Sequence, residues 1–255
     1  MGKGHEWQPI FYAVTAMHSP IFKKLLQNKK NLHARDFYMR TPLHWAASHG
    51  RIENIKQLIY YGADVNAKDC CGATPLSKAC TDMIHILTST EDVEMEKACA
   101  IFGRMVEALV RGGADINAKD KRGYTPLQKA MSDTMGWPEA IEKFIELGVD
   151  LEATNKNGET ALHSAAASTY PEIVEALIGA GINIDVQSDY GETPLHRALR
   201  NPFKYYLRYI TIKTLVNFAA RMDVPDCIGE TAESLGVMNL LRNPPKPKID
   251  QGWYF

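Results

Sequence analysis

Three histidines stand three places after a threonine: Thr41-Pro42-Leu43-His44, Thr160-Ala161-Leu162-His163 and Thr193-Pro194-Leu195-His196. Read singly, they have the type for a catalytic triad or a metal site. Both chemistries need the groups to converge on one point, with a partner that orients each. Five cysteines follow a different logic: Cys70, Cys71, Cys80, Cys99 and Cys227. An odd count at low density argues for reduced thiols rather than a disulfide framework. No pair has the CxxC spacing of a zinc site. There is no P-loop, GxSxG, HExxH or kinase signature, so no enzyme and no cofactor or metal is expected.

The elements that carry these residues recur. Thr41-Pro42-Leu43-His44-Trp45-Ala46 returns at Thr74, Thr125, Thr160 and Thr193, with a decayed copy at Thr231, at spacings of 33, 51, 35, 33 and 38. A second signature follows in the undisturbed copies. It reads Gly62-Ala63-Asp64-Val65-Asn66-Ala67-Lys68-Asp69 and again Gly113-Ala114-Asp115-Ile116-Asn117-Ala118-Lys119-Asp120, with weaker copies from Gly148 and Gly181. Threonine caps a helix and proline suits its first turn. Leu and Ala then line a narrow apolar face. In Ile52-Glu53-Asn54-Ile55-Lys56-Gln57-Leu58-Ile59 the apolar residues fall at helical spacing, and Gly62 ends that helix. Asp-x-x-Gly before the next threonine supplies a turn. One such unit cannot bury its own apolar face; stacking does it.

These linked motifs closely resemble the ankyrin repeat family over about residues 8–241. The resemblance implies an all-α repeat solenoid of helix-turn-helix units with β-hairpin-like fingers. It divides the chain into a degenerate cap at 8–35 and units at 36–68, 69–119, 120–154, 155–187 and 188–225. A truncated cap follows at 226–242, making 1–242 a single repeat domain with a Pro-rich tail at 243–255. In this family the motif histidine bonds backbone groups and ties fingers to helices, so no catalytic or metal role is expected for His44, His163 or His196. Asn66 and Asn117 match a finger asparagine that can be hydroxylated in eukaryotic members.

Three segments depart from the pattern. The third unit carries an 18-residue insertion at about 82–98, read as a lengthened first helix, a loop and a long second helix to about Val110. It is either simple elongation or an arm that contacts a partner. The sixth unit is five residues longer and holds Phe203, Tyr205, Tyr206 and Tyr209. The spacing of 205, 206 and 209 suits one helical face and core packing, with an interface cluster as the alternative. The tail ends in Trp253-Tyr254-Phe255, which either folds back or docks elsewhere.

With 29 Lys and Arg against 30 Asp and Glu, the formal charge is −1. No overall field draws the chain to nucleic acid or lipid. No apolar stretch approaches a membrane span, and Met1 to Gln8 lacks the apolar core of a secretory signal. The expectation is a cytoplasmic protein, or one in a host cytosol if it is a secreted effector.

The family binds other proteins through finger tips and the concave face of the first helices. Carried onto this chain, the tips are Phe37, Tyr38, Arg40, Lys121, Arg122, Tyr124 and Tyr190. The variable motif slot holds Trp45, Lys78, Lys129 and Arg197, and farther along lie His49 and Arg200. Aromatic and arginine side chains carry most binding energy at interfaces. Lys78, Lys129 and Arg197, joined by Lys121 and Arg122, suggest a basic stripe, acid elsewhere on the protein, and a partner with an acidic patch and an apolar centre. The expected role is an adaptor or scaffold whose partner is another protein, with no nucleic acid and no membrane, and which is monomeric because its ends are capped. The alternatives are a stoichiometric inhibitor or immunity-type protein, or a microbial or viral effector.

Overall fold

A computed structural model describes residues 9–16, 20–82, 95–133, 138–168, 170–201 and 205–245. All regular elements among them are helices. The chain divides into two compact units, Met1–Lys156 and Asn157–Phe255.

In the first unit, α1 (Pro9–Thr15), α2 (Pro20–Leu26) and the single turn α3 (Lys29–Leu32) make the irregular leading repeat. Then come α4 (Pro42–Ser48), α5 (Ile52–Tyr60), α6 (Pro75–Thr81), α7 (Met95–Arg111), α8 (Pro126–Asp133) and α9 (Pro138–Glu146). The first helices α4, α6 and α8 stack as one row, and the second helices α5, α7 and α9 as another. The second unit holds α10 (Ala161–Ser168), α11 (Pro171–Gly179), α12 (Pro194–Arg200), α13 (Tyr205–Asn217) and α14 (Val237–Arg242). Here α10 packs on α12, and α11 on α13.

The motif builds this directly. Thr74 Oγ1 accepts the Ser77 N–H at 3.2 Å, and Thr125 Oγ1 accepts that of Gln128 at 3.3 Å. Each bond satisfies a donor that the helix leaves open. Leu43, Leu76, Leu127, Leu162 and Leu195 are fully buried, as are Ala46, Ala79, Ala130, Ala165 and Ala198. Burying one leucine contributes about 1.5–3 kcal/mol, and the alanines let neighbouring helices close on it.

Four of the finger turns are held by a carboxylate that accepts two backbone N–H groups, and Ser188 Oγ stands in that place in another. Asp36 Oδ1 takes those of Tyr38 at 2.9 Å and Arg40 at 2.8 Å. Asp69, Asp120 and Asp226 repeat the pattern. Adjacent finger tips are joined through peptide groups, while behind the tips Arg35, Lys68 and Lys119 each donate to a carbonyl of the next finger. In the first unit the Cys70 N–H donates to Tyr38 O at 2.9 Å, Lys121 to Cys71 O at 3.0 Å and Lys156 to Arg122 O at 3.2 Å. In the second, Asp189 donates to Asn157 O and Cys227 to Tyr190 O, both at 2.9 Å. Gly123 has φ +82°, and a Cβ there would lie 2.6 Å from Lys156 N, so this turn admits no side chain.

Two expectations change. The first helix of the third repeat is not lengthened: α6 ends at Thr81, where the Thr81 hydroxyl bonds back to Lys78 O at 3.0 Å and Asp82 takes the Lys78 ammonium at 2.9 Å. The long second helix is present and runs to Arg111; residues 83–94 lie outside the described residues. In α13 the buried stripe is Thr211, Ile212, Thr214 and Leu215, whereas Tyr206 is exposed and Tyr209 half-buried. Those tyrosines therefore do not form a core cluster, because the buried face of the helix begins two residues after Tyr209. Phe203 and the Trp253-Tyr254-Phe255 end lie outside the described residues, as does the Tyr205 side chain.

Candidate interaction surface on the finger tips

The histidines are accounted for first. His44 Nδ1 accepts the Thr41 backbone N–H at 3.0 Å, and Nε2 faces the Ala73 carbonyl at 3.0 Å. The ring proton therefore sits on Nε2. His163 does the same between Thr160 N–H at 3.1 Å and Glu192 O at 2.9 Å. His196 spans Thr193 N–H at 3.2 Å and Glu230 O at 3.1 Å. Both nitrogens of each ring are committed to backbone, so each imidazole pins its helix to the next finger. Burial pushes the His44 and His163 imidazoles below their ordinary value, against carbonyl bonds that act the other way. Gln128 fills the same slot, its Oε1 accepting the Thr125 N–H at 3.0 Å and its Nε2 donating to Ala153 O at 3.2 Å.

The asparagines act between loops. Asn66 Nδ2 donates to Gly113 O at 2.9 Å while its Oδ1 accepts the Asp115 N–H at 2.8 Å. Asn117 Oδ1 accepts the Asp150 N–H at 3.0 Å.

The first finger presents three adjacent apolar side chains to solvent. Phe37 is 74% exposed, Tyr38 54% and Met39 50%. Met39 adopts φ 61°, where the later fingers have glycine. A branched or long side chain in that region is strained by about 1–2 kcal/mol. Behind them, Arg40 lies over the Tyr38 ring at 5.0 Å and over the Trp45 ring at 4.6 Å. Asp36 Oδ2 accepts from Arg40 Nε at 2.7 Å and from Trp45 Nε1 at 3.0 Å. Burial alone would raise the Asp36 carboxyl, but the bonds from Arg40 and Trp45 outweigh it and hold it low. His49 stacks on Trp45 at 5.6 Å. These predicted residues thus form one cluster, with Phe37 and Tyr38 outermost.

A related cluster joins Arg122, Tyr124 and Lys129. Arg122 lies 5.4 Å and Lys129 4.9 Å from the Tyr124 ring, and Lys129 pairs with Asp120 at 3.0 Å. Lys121 and Arg122 are exposed at the tip, and no carboxylate pairs with either among the described residues. In the second unit Tyr190 is exposed at its tip.

The basic stripe needs correction. Lys78 pairs with Asp82 at 2.9 Å. Arg197 reaches Glu159 at 3.2 Å and Glu192 at 3.5 Å. Arg200 pairs with Glu192, with Asp226 at 2.5 Å and with Glu230 at 2.6 Å. The balancing acid is beside each cation rather than on another face: Asp82 ends the helix that carries Lys78, and finger residues supply the acids beside Arg197 and Arg200.

Two tip residues escaped the sequence reading. Met39 and Ile228, the latter 72% exposed, are both displayed. Ile228 occupies the slot of Tyr38, two places after the turn aspartate, so register alone would have found it. Elsewhere, an open groove of about 470 Å³ runs between α5 and α7, floored by Ile59, Ala108 and Gly112. It contains none of the predicted site residues.

The sequence profile of the ankyrin repeat family, three copies long, matches residues 2–69, 95–188 and 136–226. The chain belongs to the ankyrin repeat family. It is 52% identical over 58 residues to the serine/threonine-protein kinase VIK of Arabidopsis thaliana, 22% of this chain and 13% of that protein. Human Rabankyrin-5 is 34% identical over 94 residues, 36% of this chain and 6% of that protein. The chain therefore spans a small part of these relatives, and the likeness concerns repeats. Among solved structures, the ankyrin repeat domain of Bcl-3 aligns over 93% of this chain and 99% of its own, with a TM-score of 0.74 at 23% identity. The fold is thus an all-α ankyrin solenoid. Ankyrin repeats are in general protein-binding, non-catalytic scaffolds. No helix among the described residues is long and apolar enough to cross a membrane.

Proposed function

We propose that this ankyrin domain, residues 1–242, binds one protein partner through the finger tips of its first unit and performs no catalysis. The observation that carries this reading is the triplet Phe37, Tyr38 and Met39, displayed to solvent on a finger that keeps a strained residue where glycine would relax it. Strain concentrates where a side chain is needed, and exposed aromatic residues next to arginine supply anchors for an interface. The partner presents an apolar pocket for Phe37 and Tyr38, with acidic groups opposite Lys121 and Arg122. The other cations serve the domain itself. The domain acts as a monomeric adaptor in the cytoplasm, where its thiols stay reduced.

The test places a photo-crosslinking amino acid at Tyr38 and, separately, at Tyr60, which is exposed on α5. Capture of one protein from Tyr38 and not from Tyr60, abolished by Phe37→Ala/Arg122→Ala in a folded variant, supports the reading. Equal capture from both positions, or capture that survives the double substitution, overturns it.

A further inference from the structure

Cys70 and Cys71 occupy the tip of the second finger. Both are exposed, and their sulfurs lie 3.9 Å apart. Consecutive residues on extended backbone point to opposite sides; here the turn swings both thiols to one side. Around them the backbone is fixed. Cys70 N–H bonds to Tyr38 O, Lys121 N–H bonds to Cys71 O, and the Cys71 N–H is held by Asp69 Oδ1 at 2.8 Å. The two thiols thus form a preset pair on a rigid turn. The other cysteines offer no such pair: Cys80 is buried, Cys99 is half-buried, and Cys227 is the single cysteine of the second unit.

We propose that Cys70 and Cys71 form a chelating site for a soft, trivalent thiophile of the organoarsenical class, which bridges both sulfurs. An atom bonded to each sulfur at about 2.3 Å spans sulfurs 3.9 Å apart with a bend of roughly 115°. A pyramidal three-coordinate centre that keeps one substituent of its own bends more sharply, so these exposed thiols close by a few tenths of an ångström about χ1 to hold it. A closed zinc site needs four ligands, and no cluster of three or more His, Cys, Asp or Glu occurs among the described residues.

A disulfide is the poorer product. Neighbouring Cα atoms across a trans peptide are about 3.8 Å apart, below the roughly 4.4 Å at which disulfides begin. Loss of solvent, the hydrogen bond with Cys71 and the charges of Cys71 and Asp69 raise the Cys70 thiol above its ordinary value, with Lys121 opposing. Oxidation and arsenical capture both proceed through the thiolate, so the short Cα separation is what decides between them. Arsenical exchange carries its own acceptor for the protons. With phenylarsine oxide, the two S–H bonds and the arsenic–oxygen bond break, two arsenic–sulfur bonds form, and the oxygen leaves with both protons as one water. Arsenic stays trivalent and nothing is oxidised.

Phenylarsine oxide added to the intact protein is expected to give one adduct by mass spectrometry and remove two of the five thiols titratable once the chain is denatured. The adduct resists a monothiol and is released by 2,3-dimercaptopropanol. Bridging both sulfurs tightens binding by about 100-fold or more over one sulfur, so Cys70→Ser and Cys71→Ser each lose the monothiol-resistant adduct. Both residues are exposed, and circular dichroism verifies the fold of each variant. The Cys80→Ser/Cys99→Ser/Cys227→Ser protein keeps the adduct. Absence of a monothiol-resistant adduct in the wild type, its survival in Cys70→Ser, or its loss in the folded triple variant overturns the assignment.

Discussion

The Arg40 guanidinium lies 4.6 Å from the centre of the Trp45 ring, and one carboxylate, Asp36, holds both side chains. Two repeats later the same slots hold Tyr124 and Lys129. Cation and ring have exchanged places, and Asp120 stands where Asp36 stood. The pair is therefore a conserved contact in geometry though not in residue identity. A double-mutant cycle on Arg40→Met and Trp45→Leu should show a coupling of about 0.5–1 kcal/mol in denaturant unfolding. Additivity of the two substitutions would mean that the stacked geometry contributes nothing.

Met39→Gly should stabilise the first unit. It relieves about 1–2 kcal/mol of left-handed strain and gives back about 0.5–1 kcal/mol to the unfolded chain. The net gain is about 0.5 kcal/mol. Gly123→Ala should act in the opposite direction and more strongly, since its Cβ would meet Lys156 N at 2.6 Å. Chemical denaturation of both variants checks the pair, and a loss of stability in Met39→Gly would contradict the strain.

His44 and His163 give the fold a pH limb. Their folded values lie below the ordinary 6.5 of imidazole, so the unfolded chain binds more protons just below that pH. Stability is complete above about 6.5 and declines as pH falls through the window beneath it. Gln128 shows that an amide can fill the slot. His44→Gln/His163→Gln should therefore flatten the thermal midpoint between pH 7 and 5, while wild type declines. Parallel curves for the two proteins would assign the decline elsewhere.

Arg200→Met should leave Glu192, Asp226 and Glu230 facing one another without their cation. Because the Arg200 side chain is 32% exposed, solvent screening reduces the cost of breaking such a pair to about 1–3 kcal/mol at neutral pH. Burial would raise the Asp226 carboxyl, but the bond from Arg200 and two backbone N–H groups hold it low. Its contribution is present above the unfolded carboxyl value and is lost as pH falls through the lower folded one. In the variant the acid unfolding limb should move to higher pH. An unchanged limb would show that Arg200 does not set the Asp226 titration.

The helices were legible because Thr74, Leu76 and Ala79 act locally: cap, buried wedge and close approach all lie within two turns. The backbone tie of His196 was legible too, since the family motif places its carbonyl acceptor at the next finger. Charge pairing was less so. Lys78 and Asp82 sit one turn apart at the end of a helix, and Arg40 with Asp36 closes a single finger turn, so both pairs are local. Arg200 meets Asp226 across 26 residues, a separation that spacing alone does not connect. Tyr206 misled because a run of aromatics has no intrinsic side; the face of α13 is chosen by the neighbours it packs against.

The hydrogen bonds that run from tip to tip employ peptide groups only. Folding therefore does not consult the side chains at Tyr38, Cys71 and Arg122 in one unit, or at Tyr190 and Ile228 in the other. Mutation can change what these positions say without changing the spine on which they are written. Selection for a new partner can thus proceed one residue at a time, and the lineage need not pass through an unfolded intermediate.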